Sequence, residues 1–483
     1  MANYLTNKKK QRDSSEEFAR KYPHHHQTLL NRPDVTRRGF FQLAAAGLTG
    51  SYLLPRASGA PLVTNAGMTT RNTAKNVIFI HLTGAMSHVD TLDLKVGAAT
   101  PADFNPTMVN GVNWPVGLMP KIGSHLGDVA LVRSMSAWAL VHSLAQTWVQ
   151  IGRNPAAALG DIAPNVGSIV AIEKEKERKP GQVFPTFVAL NAASASGQGY
   201  LNAAYAPFQV SPRTGAGSIA NTTNTNGQAT FNSMYSRLAQ YDGAMRAQSP
   251  YGSALKDMDV LYGQARGLMY NPAVDAAFTI TTQDSLRYGN GTAASSLGNA
   301  LLMAKQVLLA EQGTRFIQVD YGSWDHHQNI YDANNLPLRA GDLDNALGAL
   351  LDDLKAAGRL NDTLVIAMGE FGRTPGISAA NGRDHYLILS ALMAGGGVKG
   401  GKVIGATNST GANPGGTITE FGWNGSGSTG PRVVRPEDIE STMYSALGID
   451  WTTTRYDDPF GRGFEYVPFA KVGTYGPINE LFT

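Results

Sequence analysis

The chain has no cysteine among its 483 residues. Disulfides, thiolate metal sites and cysteine nucleophiles are therefore excluded, and so is a formylglycine made from cysteine; one made from serine stays open. Long apolar runs are missing too. Beyond the first sixty residues no stretch reaches the roughly 18 apolar residues that a membrane-spanning helix needs. Nor does one sign of charge dominate the body. The net charge of +3 comes from the N-terminus, because residues 1–60 hold 10 Lys/Arg and 4 Asp/Glu, leaving 30 basic and 33 acidic residues in the remainder. A body so balanced has no basic footprint for nucleic acid or an anionic membrane. No G-x-S-x-G elbow occurs, which argues against an ordinary serine hydrolase. No carboxylate pair stands out as a glycosidase dyad, and no internal repeat is visible.

What is present begins with an address. A polar stretch to Asp34 leads into "TRRGFFQLAAAGLTGSYLLP" (36–55), with Arg37 and Arg38 followed by Phe40 and a short, mildly apolar run. This resembles a twin-arginine export signal, and small residues at 57–60 (ASGA) mark a cleavage region near Ala60. The implied partner is the twin-arginine translocase and the implied location periplasmic or secreted, with no stable membrane span unless the signal is retained. Residues 1–60 are set apart as signal and tail, and residues 61–483 as a single domain with a loop-rich insertion at about 191–295.

Strands are expected at Val77–Leu82, 128–136, 182–190, 314–320, 361–368 and around 385–394. Helices are expected at 142–155, 231–268, 296–312, Leu338–Ala357 and 435–450, and loops from Asn191 to Thr230. Short β-branched strands alternate with helices, and polar residues follow the strands. That pattern predicts an α/β fold with a mostly parallel sheet and a site beyond the carboxyl ends of its strands.

Five of the seven histidines after residue 60 fall in or beside such loops: His88, His142, His326, His327 and His385. "GAMSHVDTLD" (84–93) offers Ser87, His88 and Asp90, or simply a turn satisfied by Ser and Asp. "WDHH" (324–327) offers Asp325 and His327 on one face of an extended segment, leaving His326 pointing away; Asp/His sets suit divalent metals. "GEFGRTP" (369–375) places Glu370 at a strand end and Arg373 three residues on, a fork for an oxyanion or a loop-pinning ion pair. "GRDHY" (382–386) adds Arg383, Asp384 and His385. His142 and Ser143 open a helix whose dipole favours an anion, unless Ser143 merely caps it.

Together "GAMSHVDTLDLK", "RSMS…H", "WDHH", "GEFGRTP", "GRDHY" and "AGGGVKGG" resemble the bacterial family called domain of unknown function 1501, from about Asn76 to Asp450. That family looks like a branch of the alkaline phosphatase and sulfatase superfamily. The resemblance implies an α/β/α sandwich and an exported metal-dependent hydrolase acting on small or polymeric esters of phosphate or sulfate. By position it implies metal ligation by Asp325, His327 and His385, with Glu370 at the second-metal aspartate. Ser143 or His142 stands at the nucleophile position, and Arg373 and Arg383 bind the anionic group. His88, Asp90 and Asp384 are candidates for a second metal or for supporting the first. Two departures count against a second ion: Thr83 and Gly84 stand where the first strand's aspartate is expected, and Phe371 stands where a histidine is. One divalent ion rather than two is expected, zinc first, with manganese or calcium as alternatives. The competing reading is a non-catalytic exported binding or assembly protein with a degenerate metal site.

Overall fold

Strands covered by helices on both faces read as unbroken runs of aliphatic and β-branched residues, and this chain has several. The computed structural model describes residues 69–247, 253–412 and 433–483, apart from residues 216, 217, 220, 290 and 293. The export segment expected at 1–60 lies outside the described residues. Eight strands form the central sheet. They are β1 Asn76–His81, β2 Val129–Ser136, β3 Phe187–Leu190, β4 Phe208–Val210, β5 Phe316–Asp320, β6 Thr363–Met368, β7 Ile388–Ala394 and β8 Lys402–Ile404. Their order across the sheet is β8-β2-β7-β6-β1-β5-β3-β4. Only β7 runs antiparallel to its neighbours β2 and β6; the other pairings are parallel.

Alternation along each strand builds two cores. Ile78, Ile80, Ile317, Val319, Val365 and Leu392 face one, together with the helices Ser296–Leu309 and Leu336–Ala356. Val77, Phe79, Phe316, Leu364, Ile366 and Met393 face the other, under the helices His142–Ile151 (α1), Val166–Lys174 and Pro436–Ala446. The result is the expected α/β/α sandwich. Each aliphatic side chain so enclosed contributes about 1.5–3 kcal/mol of transfer free energy.

Three departures from the sequence reading have simple causes. The strand expected over 182–190 starts only at Phe187, because Pro185 has no N–H to give a ladder. The loop expected to run to Thr230 contains β4, a three-residue edge strand paired with β3. Helix α1 stops at Ile151, where Gly152 turns left-handed at φ 63° and sends its N–H to the Trp148 carbonyl. Among the described residues no helix is long and apolar enough to cross a membrane.

Candidate metal centre

Neighbouring strands β6, β1 and β5 end at the same edge of the sheet, and the segments that leave them meet there. β1 is followed by Thr83–Gly84, β5 by Ser323–His327 and β6 by Glu370–Arg373. Arg373 then pairs with His385 in a two-residue antiparallel ribbon. Helix α1 points its first residue, His142, at the same place.

Three imidazoles surround one carboxylate oxygen. Asp325 Oδ1 lies 3.1 Å from His327 Nε2, 3.3 Å from His142 Nε2 and 3.5 Å from His385 Nε2. Ligand atoms of His142, Asp325 and His385 all fall within 4.8 Å of one another. Each ring is anchored by its other nitrogen. His385 Nδ1 donates to the Leu140 carbonyl at 2.7 Å, His327 Nδ1 to Asp384 at 2.7 Å and His142 Nδ1 to Glu370 at 2.6 Å. A carbonyl or carboxylate only accepts, so every Nδ1 carries the proton and every neutral ring presents its Nε2 lone pair inward. His327 Nε2 and His385 Nε2 are 3.0 Å apart, and His142 Nε2 is buried without a hydrogen-bond partner. A cation placed between them would meet all of these inward lone pairs, and Arg373 Nη1 already lies 3.5 Å from His327 Nε2. Imidazoles oriented by acceptors behind them, next to a carboxylate, are the donor set of a divalent metal. The residues present fit the implied ion.

Charge in the centre follows from these contacts. Burial pushes Asp325 toward protonation, but the hydrogen bond and charge of the Arg373 guanidinium, with smaller contributions from His142 and His327, hold it down to about 2. Burial likewise opposes charge on Glu370, which is 1% exposed, yet hydrogen bonds from His142 and Gln146 and the nearby His81 keep it below its usual value. The Glu370 hydrogen bond raises the proton affinity of His142 despite burial. Burial lowers that of His385.

The candidate residues divide into those the fold gathers and those it does not. Asp325, His327, His385 and His142 converge. Glu370 sits behind His142, its Oε1 also accepting from Gly84 N–H at 2.9 Å and Gln146 at 3.0 Å. Asp384 orients His327 from outside. His326 is buried, and burial lowers its pKa to about 4.

Arg373 and Arg383 turn inward, so the anion-binding role expected of them is not what their contacts support. Arg373 Nε donates to Ala85 O, Nη2 to Gly84 O and Asp325, and Nη1 to Arg383 O and His327. Arg383 grips both oxygens of Asp90 at 2.7 and 2.9 Å, along with Tyr331 and the carbonyls of Thr374 and Pro375. All five N–H groups of each guanidinium are thereby used. Asp90 is thus an ion-pair partner, also bound by Ser87 and Tyr331, and His88 spends Nε2 on the Gly411 carbonyl.

Ser143 is exposed and does not cap α1, whose N-cap is Val141. An open cleft of about 230 Å³ beside the centre is lined by Thr83, Gly84, His142, Gln146, Ser323 and Asp325. Its hydroxyls are therefore Thr83 and Ser323. A second, smaller cavity lies inside the core against Glu440, away from this chemistry. Sequence reading missed Gln146, although its i+4 spacing from His142 puts both on one helix face. It also missed Leu140, which acts through a main-chain carbonyl and so leaves no residue-type signal.

A family model described as a protein of unknown function, DUF1501, matches residues 74–468. No curated protein matches the chain. Among solved structures, the lipoteichoic acid synthase LtaP from Listeria monocytogenes aligns at 11% identity over 85% of this chain and 79% of its own, with a TM-score of 0.34. The PsFucS1 sulfatase from Pseudoalteromonas sp. aligns at 12% identity over 88% and 75%, TM-score 0.35. The alkaline phosphatase from the Antarctic bacterium TAB5 aligns at 13% identity over 67% and 92%, TM-score 0.32.

Proposed function

The chain belongs to the DUF1501 family, and from that membership and the geometry of the centre we propose that it is an exported, metal-dependent hydrolase of phosphate or sulfate esters. One observation carries the reading: the Nε2 atoms of His327 and His385 face each other at 3.0 Å while both Nδ1 protons are spent on other acceptors. Neutral rings held that way cannot hydrogen-bond to one another, and Asp325 completes a one-carboxylate, two-imidazole set. A divalent ion bound there would supply Lewis-acid polarisation of an ester oxygen.

The protein's own groups do the rest. The cleft admits the anionic ester between Thr83–Gly84 and Ser323, against the N-terminus of α1, whose leading N–H groups no side chain caps. His142, its proton affinity raised by Glu370, holds and returns the proton of the reaction. Zinc suits the imidazole-rich donors, and manganese or calcium are the alternatives to test. Export rests on Arg37 and Arg38 in the N-terminal segment, and a double lysine substitution there is expected to leave the protein in the cytoplasm.

Elemental analysis of purified protein tests the centre. One bound divalent ion per chain is expected in the wild type, and its loss in both Asp325→Ala and His385→Ala. Unchanged metal content in the two variants would remove the reading. A panel of aryl phosphates and aryl sulfates with added metals then tests the chemistry, and absence of turnover from the loaded protein would leave a non-catalytic binding protein.

A further inference from the structure

Arg373 is 1% exposed and ranks among the largest fully buried side chains of the described residues. Three main-chain carbonyls, those of Gly84, Ala85 and Arg383, point at its guanidinium, and Asp325 Oδ1 lies 2.5 Å from Nη2. His327 Nε2, 3.5 Å from Nη1, is the one nitrogen among these partners; the rest are carbonyls and a carboxylate, the donors that hard cations such as Ca²⁺ or Mg²⁺ take.

The backbone is bent to build this shell. Gly84 sits at φ 101° and Ala85 at φ 67°, so two consecutive residues after β1 are left-handed and their carbonyls both reach the guanidinium. Ala85 carries a side chain in a region that disfavours one, a cost of order 1 kcal/mol or more. Gly84 has no room to be anything else, since a Cβ there would lie 2.8 Å from Trp324 N and 2.9 Å from Asp325 N. The same Asp325 oxygen faces His327 and His385 on its other side.

We propose that Arg373 is a built-in cation of the centre: its guanidinium fills an oxygen cage that would otherwise hold a second, hard metal ion, and shares Asp325 with the single ion bound by His327 and His385. This rests on the metal-centre reading above and sets its stoichiometry. Arg373 is a positioning residue that fixes Asp325 and charges the cage; it has no donor left for substrate.

Metal titration followed by calorimetry and elemental analysis distinguishes the outcomes. Wild type is expected to saturate at one equivalent in zinc and to take no further equivalent in millimolar Mg²⁺ or Ca²⁺. Arg373→Lys, which keeps the charge, is expected to do the same. Arg373→Gln removes the cation but keeps donors for the carbonyls. It is expected to bind the first ion at least tenfold tighter, because Asp325 is no longer shared, and to accept a second equivalent of Mg²⁺ or Ca²⁺. A purely structural arginine predicts the opposite: weaker binding of the first ion and no second. Two equivalents in the wild type overturn the inference while leaving the metal centre intact, whereas none removes both. Should Arg373→Gln fail to fold, Arg373→Met, of similar length and without charge, carries the same expectation of a second equivalent, and its absence there overturns the inference.

Discussion

Glu370 and His142 meet through a 2.6 Å hydrogen bond that ties the segment after β6 to the first residue of α1. The carboxylate is buried, and the same oxygen holds Gly84 N–H and Gln146. Glu370 thus sets which nitrogen of His142 is protonated and supplies the charge that raises its proton affinity. Glu370→Gln keeps an acceptor but discards the charge. Turnover is expected to fall about 10–100-fold, the usual cost of altering a carboxylate that orients a residue of a metal centre. Because Glu370 raises the His142 pKa, its removal is expected to move the limb of the pH–rate profile that reports His142 to lower pH. An unmoved profile would detach Glu370 from His142.

Gly382 brings the loop carrying His327 against the ribbon carrying His385. A Cβ at this glycine would lie 2.0 Å from the His327 carbonyl carbon and oxygen and 2.4 Å from Gln328 N, all backbone atoms that have no rotamer to move. Gly382→Ala is therefore expected to separate His327 from His385, lowering bound metal at least tenfold with little change in far-ultraviolet circular dichroism. A variant with full metal content would show that the two histidines do not act on one ion.

The sheet was largely legible because strands buried on both faces, such as β1, β5 and β6, leave long β-branched runs. The direction of β7 was not, since an apolar run reads alike either way and only its antiparallel pairing with β2 and β6 tells them apart. β4 was hidden by its length of three residues in a Gly/Ser/Thr-rich region. At the centre, Asp325, His327 and His385 were readable as metal-type residues at strand ends. The inward turn of Arg373 and Arg383 was not, because it depends on which carbonyls fold against them, and sequence does not display a carbonyl. Ser143 was placed by helix position alone, and one residue along α1 is about 100° around its axis.

Asp90 and Arg383 form a buried ion pair, 1% and 4% exposed, with both carboxylate oxygens engaged. Removing one partner strands the other charge in a low-dielectric interior, which costs about 3–5 kcal/mol. Asp90→Ala is expected to lose stability on that scale by chemical denaturation, and Asp90→Ala/Arg383→Met much less than the sum of the two single changes. Metal content, measured below the unfolding transition, is expected to stay at the wild-type value. Loss of metal from folded Asp90→Ala would return Asp90 to the candidate ligands.

Glu440 lies in the core near Arg153 and Tyr444, with Oε2 lacking a hydrogen-bond partner. Burial pushes its pKa up to about 8, with Arg153 pulling the other way. An unfolded glutamate titrates near 4.3. Between about pH 4.3 and 8 the folded protein keeps a proton that the unfolded chain has released, so this group's contribution to stability is full below that window and is lost as pH rises through it. Glu440→Gln fixes the neutral form with nearly the same shape. Its denaturation midpoint is expected to match wild type near pH 4 and exceed it at pH 8. Parallel pH dependence in the two proteins would mean that Glu440 is ionised in the fold and that Arg153, held by carbonyls of Glu465 and Tyr466, compensates it fully.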